Sequence, residues 1–399
     1  MNPARANLWK LRLYWFGHSL VFAYVIERVF GLERGLSVQD MVTVEIFYAL
    51  AALVLEVPTG ALADRWSRKK TLLLSSFCIF FEFFLLIFAY NLWGFLASAL
   101  AAALGGALAS GTANALLYDS LLETGEQGDF ERQLGRIGLW ESLAGLIGAL
   151  GGAWVAVRWG LVSPYWLSLL GVALAFGTAL SLHEPAKQGE HTMAENIWAH
   201  MGEALTFLRG QPVLQKIVLL ATCLAAVFEY VDEYLQIYMQ AVGVPVAFFG
   251  LFYACYMGGE AGFRSLAYRL KEIKQPRWLF VGFLGGFALF LLWAAALRSL
   301  WGLLPLFLAL ACVWLSQPLT TGYLHHRTPS SHRATVESFA HLLTSLLAVG
   351  VGLAFGQITT RWDIFSGYRF LAVILLGFTL YWGIASRGLP AYAAIEADD

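Results

Sequence analysis

Residues 56–70 read Glu56-Val57-Pro58-Thr59-Gly60-Ala61-Leu62-Ala63-Asp64-Arg65-Trp66-Ser67-Arg68-Lys69-Lys70. An apolar run that begins near Met41 ends here in a carboxylate, a proline, a glycine, an aspartate and four cations. A membrane helix leaving the bilayer on its cytoplasmic side ends this way, because Lys and Arg are retained on that side. The stretch therefore predicts a helix end at a membrane face, and the rest of the chain can be read outward from it.

Composition agrees. Of 399 residues, 59% are hydrophobic and 13% charged, against about 25% charged in a soluble domain. The 39 glycines and 15 tryptophans suit a chain with several spans, where Gly packs helices and Trp sits at the interfaces. The cations are not gathered on one basic face, so no nucleic-acid partner is expected. Cys78, Cys223, Cys255 and Cys312 lie far apart in apolar runs, which suggests neither a metal site nor a disulfide framework. The first apolar run is membrane-length, so it reads as a span rather than a cleaved signal.

Runs of about 20 apolar residues cross a bilayer. Twelve are expected: 11–30, 39–61, 72–90, 93–118, 137–157, 163–182, 213–238, 246–268, 278–297, 300–324, 335–356 and 367–386. The fold class is then an all-α membrane protein, with twelve transmembrane helices in two pseudo-symmetric six-helix bundles. The bundles would occupy 1–182 and 213–399, with a linker over 183–212. Within that linker, Met193 to Leu208 has apolar residues at helical spacing and reads as an amphipathic surface helix. Leu266-Ala267-Tyr268-Arg269 echoes Leu62-Ala63-Asp64-Arg65 and supports an internal repeat. Cations cluster at the N-terminus, in the 2–3, 8–9 and 10–11 loops and in the linker. The alternate loops hold little more than Arg34, Arg158, Arg298 and Arg361, so both termini are expected in the cytoplasm.

The opening stretch resembles the signature loop between the second and third helices of the major facilitator superfamily of transporters, roughly Gly-x-Leu-Ala-Asp-Arg-x-Gly-Arg-Lys. The matching residues are Gly60, Leu62, Ala63, Asp64, Arg65, Arg68 and Lys69, with Ser67 where the family usually has Gly. The resemblance implies a charge cluster that latches the two halves at the cytoplasmic face. Carried over, Asp64, Arg65, Arg68, Asp119 and Arg136 form that latch, with Glu56, just before Pro58, as a companion. The alternative is that these charges only anchor helix ends at the headgroups.

Ionisable groups inside a span are costly and mark pathways or proton relays. Glu45 and Glu56 are eleven residues apart and share a helix face, roughly 16 Å apart along the axis. Glu27 lies in the first span, and its neighbour Arg28 is expected to point elsewhere. Glu229, Asp232, Glu233 and Gln236 fall at i, i+3, i+4 and i+7 in the seventh span. Three carboxylates on one stripe repel, which favours a proton carrier among them, with Glu229 the deepest. The other reading is that this end of the span has reached external water. Tyr230, Tyr234 and Tyr238 form a neighbouring stripe read as interfacial belt residues. In the eighth span Glu260 and Arg264 form an i, i+4 pair beside Tyr253 and Tyr256. His341 in the eleventh span, one turn from Glu337, can shuttle protons or be a structural histidine. Asn114 in the fourth span is expected to line a central cavity with Tyr253 and Tyr256. Glu82 in the third span has no assigned role.

Among exporters of the superfamily a mid-span arginine in the fourth helix and a Gly-Pro-x-x-Gly-Gly motif in the fifth are usual. This chain has Leu100 to Gly106 without arginine, and Gly145, Gly148, Gly151 and Gly152 without the proline. The glycine spacing predicts close approach to a neighbouring helix. These motifs do not show proton coupling, but the surplus of acids over cations inside the spans favours cationic or zwitterionic cargo or proton antiport. With the resemblance to bacterial twelve-helix drug and metabolite exporters, the expectation is a proton-coupled exporter in a bacterial inner membrane, working as a monomer with lipid around it. Uptake of a nutrient by proton symport and export of a secreted metal chelator are the alternatives. No nucleophile–base set, metal motif or phosphate-binding loop is present in the sequence, so no enzyme, cofactor, resident metal or ATP-driven pump is expected.

Overall fold

The computed structural model describes residues 2–185, 207–208, 210–272, 276–329 and 332–387. Regular structure among the described residues is helical throughout. Ten helices there are long and apolar enough to span a membrane. The expected spans 11–30 and 246–268 are the two that do not qualify, for different physical reasons. The first is interrupted within its length. The second, Phe249–Leu266, is long enough at 18 residues but too polar, since it carries Glu260 and Arg264 along with several glycines; it continues as 3-10 turns. The expected amphipathic helix over 193–208 lies outside the described residues, apart from Phe207 and Leu208.

The chain divides into two compact units, 1–193 with 245–254, and 194–244 with 255–399. The first unit holds α1 (Pro3–Ser19), α2 (Glu27–Glu33), α3 (Val38–Arg65), α4 (Arg68–Phe88), α5 (Leu92–Thr124), α6 (Phe130–Trp159) and α7 (Ser163–Ser181). Helix starts follow local chemistry. Ser37 and Asp40 make a reciprocal capping box at α3, and the Asn91 side chain accepts from the Gly94 N–H at α5. Gly125 ends α5 with φ 73°, a left-handed position that a residue with a Cβ enters only under strain.

The break between α1 and α2 is held from two sides. The Ser168 hydroxyl of α7 accepts from the backbone N–H groups of Phe22 (2.9 Å) and Ala23 (3.3 Å), donors left open where the helix stops. From α6, Gly148 and Gly152 lie against the carbonyls of Val21 and Phe22, and Gly151 against the Phe22 ring. A Cβ at Gly148 or Gly152 would overlap backbone that cannot yield. The expected glycine-mediated approach therefore exists, and its target is the interrupted first span. Gly145 faces open space and takes no part.

The second unit holds α8 (Pro212–Glu233), α9 (Leu235–Ala241), most of α10 (Phe249–Leu266), α11 (Pro276–Leu297), α12 (Leu303–His326), α13 (Arg333–Arg361) and α14 (Ile364–Ala385). Its core corrects the expectation for the tyrosine stripe. Tyr230, Tyr234 and Tyr238 are buried, not interfacial. Tyr230 Oη donates to the Ala348 carbonyl (2.8 Å) and Tyr238 Oη to the Ala294 carbonyl (2.9 Å). In return Tyr368 Oη of α14 donates to the Val231 carbonyl at 3.0 Å, in the turn before α8 breaks at Tyr234. A tyrosine can enter such a core when its hydroxyl finds a carbonyl. Trp93, Trp159, Trp301 and Trp362, by contrast, are exposed, in or beside the cation-poor loops.

Candidate functional site

Three groups of the expected residues take shape. The first surrounds the quoted stretch. Helix α3 runs through Pro58 without ending. Pro58 offers no N–H, and Thr59 Oγ1 donates to the Leu55 carbonyl (2.7 Å) in the same turn. Arg68 opens α4 and pairs with Asp119 near the end of α5, and both side chains are only 7% exposed. Arg68 Nη1 also donates to the Ala115 carbonyl at 2.5 Å. A buried pair needs such additional bonds to offset the loss of water. The side chains of Asp64 and Arg65 lie outside the described residues. Glu56 is exposed on α3. Arg136 makes no ion pair among the described residues. Its charge acts on Arg12, whose guanidinium donates to Gln133 (2.5 Å). The structure therefore joins Arg68 to Asp119 and leaves Arg136 apart.

One residue of this group was not expected. The Glu184 carboxylate caps α4, accepting from the Arg68 N–H (2.8 Å), the Lys69 N–H (2.9 Å) and the Ser67 hydroxyl (2.6 Å). An anion at a helix N-terminus meets free N–H groups and the positive end of the dipole. Its position just after an apolar span was the available signal, but nothing in the spacing ties residue 184 to residue 68.

The second group lies in the outer part of the first unit. Arg28 pairs with Glu45 at 2.6 Å and reaches Glu27 at 3.8 Å. The expectation that Arg28 points away from Glu27 fails because a guanidinium on a long side chain can span adjacent positions. Glu45 is thus paired across helices and is separate from Glu56. Glu82 of α4 is buried close by and interacts electrostatically with Glu27.

The third group belongs to the second unit. Asp232 is half-buried against the protein, while Glu229 and Glu233 are exposed. The helix also breaks at Tyr234, which puts Gln236 on α9 and ends the four-residue face at Glu233. Asp232 takes a hydrogen bond from the Tyr256 hydroxyl and feels the charges of Glu233 and Glu260. Tyr256 packs edge-on against Trp314, with ring centroids 4.9 Å apart. Glu260 pairs with Arg264 at 2.8 Å, and Arg264 Nη2 donates to Gln317 Oε1 at 2.5 Å. The result is a polar run, Asp232–Tyr256 and Glu260–Arg264–Gln317, that crosses from α8 through α10 to α12. Gln317 had not been singled out. It precedes Pro318 inside α12, a spacing that marks a bend but not a partner. Glu337 and His341 are exposed on α13 and bond to no other side chain among the described residues. Asn114 and Tyr253 are exposed and Tyr256 is buried.

Residues 13–353 match the family model described as Major Facilitator Superfamily. A search of curated proteins finds no match. Among solved structures the chain is similar to a point-mutant form of the nucleoside transporter NupG, with TM-score 0.73, 13% identity, and 98% of this chain and 99% of that one covered. It is similar to a bacterial homolog of the human lysosomal transporter Spinster in an inward-facing and unoccupied conformation, with TM-score 0.70, 18% identity, and 99% and 98% covered. A D-xylose-proton symporter is also similar, with TM-score 0.63, 15% identity, and 98% of each chain covered. These likenesses show a shared fold. With the family match over most of its length and ten apolar helices, the chain belongs to the Major Facilitator Superfamily and is a multi-pass membrane transporter of small molecules, not an enzyme.

Proposed function

We propose that the protein is a secondary active transporter working by alternating access, and that it exports cationic or zwitterionic amphipathic molecules in exchange for protons. The observation that carries this reading is the charge balance of the second unit's polar run. In and beside that run, Glu229, Asp232, Glu233 and Glu260 stand near Arg264. A surplus of carboxylates within the spans attracts a cation or a proton, and Tyr256 and Trp314 add a wall that tolerates cations. Asp232 is the central acid, with Glu260 held by Arg264 until a competing cation arrives.

The reading takes twelve spans, counting α1 with α2 as one broken span and α10 as another. The bundles are 1–182 and 213–399, joined by 183–212. Both termini face the cytoplasm of a bacterial cell, and the protein acts as a monomer in its inner membrane. Asp64 and Arg65, beside the buried Arg68–Asp119 pair, supply the charges of the cytoplasmic latch, a breakable contact at a helix end. Uptake by proton symport is the second reading, favoured by the likeness to a D-xylose-proton symporter.

Inverted membrane vesicles from a host making the protein test the direction. Ethidium should accumulate in them when their interior is acidified, and Asp232→Asn should abolish accumulation while the protein remains in the membrane. Accumulation confined to right-side-out vesicles supports uptake instead.

A further inference from the structure

Glu82 has no place in the polar run of the second unit, nor in the latch. It sits on α4, is 8% exposed, and its backbone carbonyl accepts from Ser98 of α5 at 3.1 Å. Its carboxylate has no hydrogen bond or ion pair among the described residues. Glu27 from α2 acts on it, and its own charge acts on Tyr24 from the turn before α2, Tyr48 from α3 and Tyr165 from α7.

The Arg28 guanidinium pairs with Glu45 at 2.6 Å and reaches Glu27 at 3.8 Å, and makes no ion pair with Glu82 among the described residues. Arg34 is engaged elsewhere: its guanidinium lies over the Tyr90 ring at 3.9 Å and donates to the Ile87 carbonyl at 3.2 Å. A bare carboxylate inside a span costs many kcal/mol in lost hydration unless a positive charge comes with it. The rings of Tyr24 and Tyr48 are partly exposed, so the cluster reaches the surface of its unit. We propose that Glu82 is a second cation-binding acid of the transporter, in a site built from Glu82 and Glu27 with Tyr24, Tyr48 and Tyr165 around them, and occupied by a single positive charge. The charge is either a proton on the Glu82 carboxyl or the cationic group of a transported molecule. This rests on the transport reading but not on its direction.

The test uses the purified full chain in lipid and two variants, Glu82→Gln and Glu82→Asp. Infrared difference spectra are recorded as pH is raised, together with binding of tetraphenylphosphonium. If the charge is a proton, the native protein shows a protonated carboxylic-acid band that disappears reversibly at alkaline pH and is missing from Glu82→Gln. If it is an organic cation, that band is absent and Glu82→Gln binds tetraphenylphosphonium about tenfold or more weakly, because a buried carboxylate loses its partner role. In both cases Glu82→Asp restores part of the signal. Two results overturn the proposal: a Glu82 band that does not respond to pH, or variants indistinguishable from the native protein in spectrum and in cation binding. Failure of proton-driven transport in the native protein would refute the exchange mechanism while leaving these spectra readable.

Discussion

At the scale of single residues, the pair Arg68–Asp119 is the contact whose removal should cost most. Both groups are nearly dry, so removing one leaves the other charged and without its partner. Asp119→Ala should destabilise the protein by about 3–5 kcal/mol, and Arg68→Ala by a similar amount. The double variant should lose much less than the sum, since it leaves no orphan charge. Thermal unfolding in detergent of the four proteins measures the coupling, and strictly additive losses contradict it. A second residue, outside the spans, titrates. Asp363 caps α14 through the Ser366 N–H (2.7 Å) and pairs with Arg298 at 2.8 Å. Burial pushes its carboxyl up, but the Ser366 hydrogen bonds and then the Arg298 and Arg369 guanidiniums outweigh burial and hold it below its ordinary value. A lowered folded value means the stabilisation is complete above the unfolded carboxylate value of about 4 and fades as pH falls through the folded one. Asp363→Asn, which keeps a cap, should therefore cost less than about 1 kcal/mol at neutral pH, because the pair is partly exposed. That difference should vanish in acid, as melting curves at several pH values will show.

Elements were legible in the sequence to different depths. The long apolar helices follow from composition and period, since a bilayer demands about 20 apolar residues of each. The signature stretch announced a helix end, and α3 does finish at Arg65. The interruptions were not legible. The first span breaks at Leu20–Ala23, within an apolar run, because the cause lies on α6 and α7 rather than in the local sequence. The seventh breaks at Tyr234 for similar reasons: Val231 bonds to Tyr368, more than a hundred residues away. For the same reason Asp232 rather than Glu229 meets Tyr256, and Glu82 lies among side chains that no spacing predicts. Glycine pattern was half legible, giving close approach but not its target. Gly152→Ala should place a methyl group on the Phe22 carbonyl and cost about 1–3 kcal/mol or more, read as a lower melting temperature or lost expression. Gly145→Ala, facing open space, should be neutral or slightly stabilising through helix propensity. Equal behaviour of the two variants would remove the packing argument for the broken span.

For the whole molecule, the family fixes a transporter, and charge suggests what drives it. Each unit places acids close together within its helices, Asp232 with Glu233 and Glu260 in one and Glu82 with Glu27 in the other. The most direct measurement is transport by the purified protein in liposomes with an imposed proton gradient. With the lumen acidic, tetraphenylphosphonium should accumulate through molecules whose cytoplasmic side faces outward. A protonophore that leaves the membrane potential clamped should abolish the accumulation, and Asp232→Asn should match the protonophore. Accumulation that survives collapse of the proton gradient, or that requires an alkaline lumen, contradicts proton-driven export.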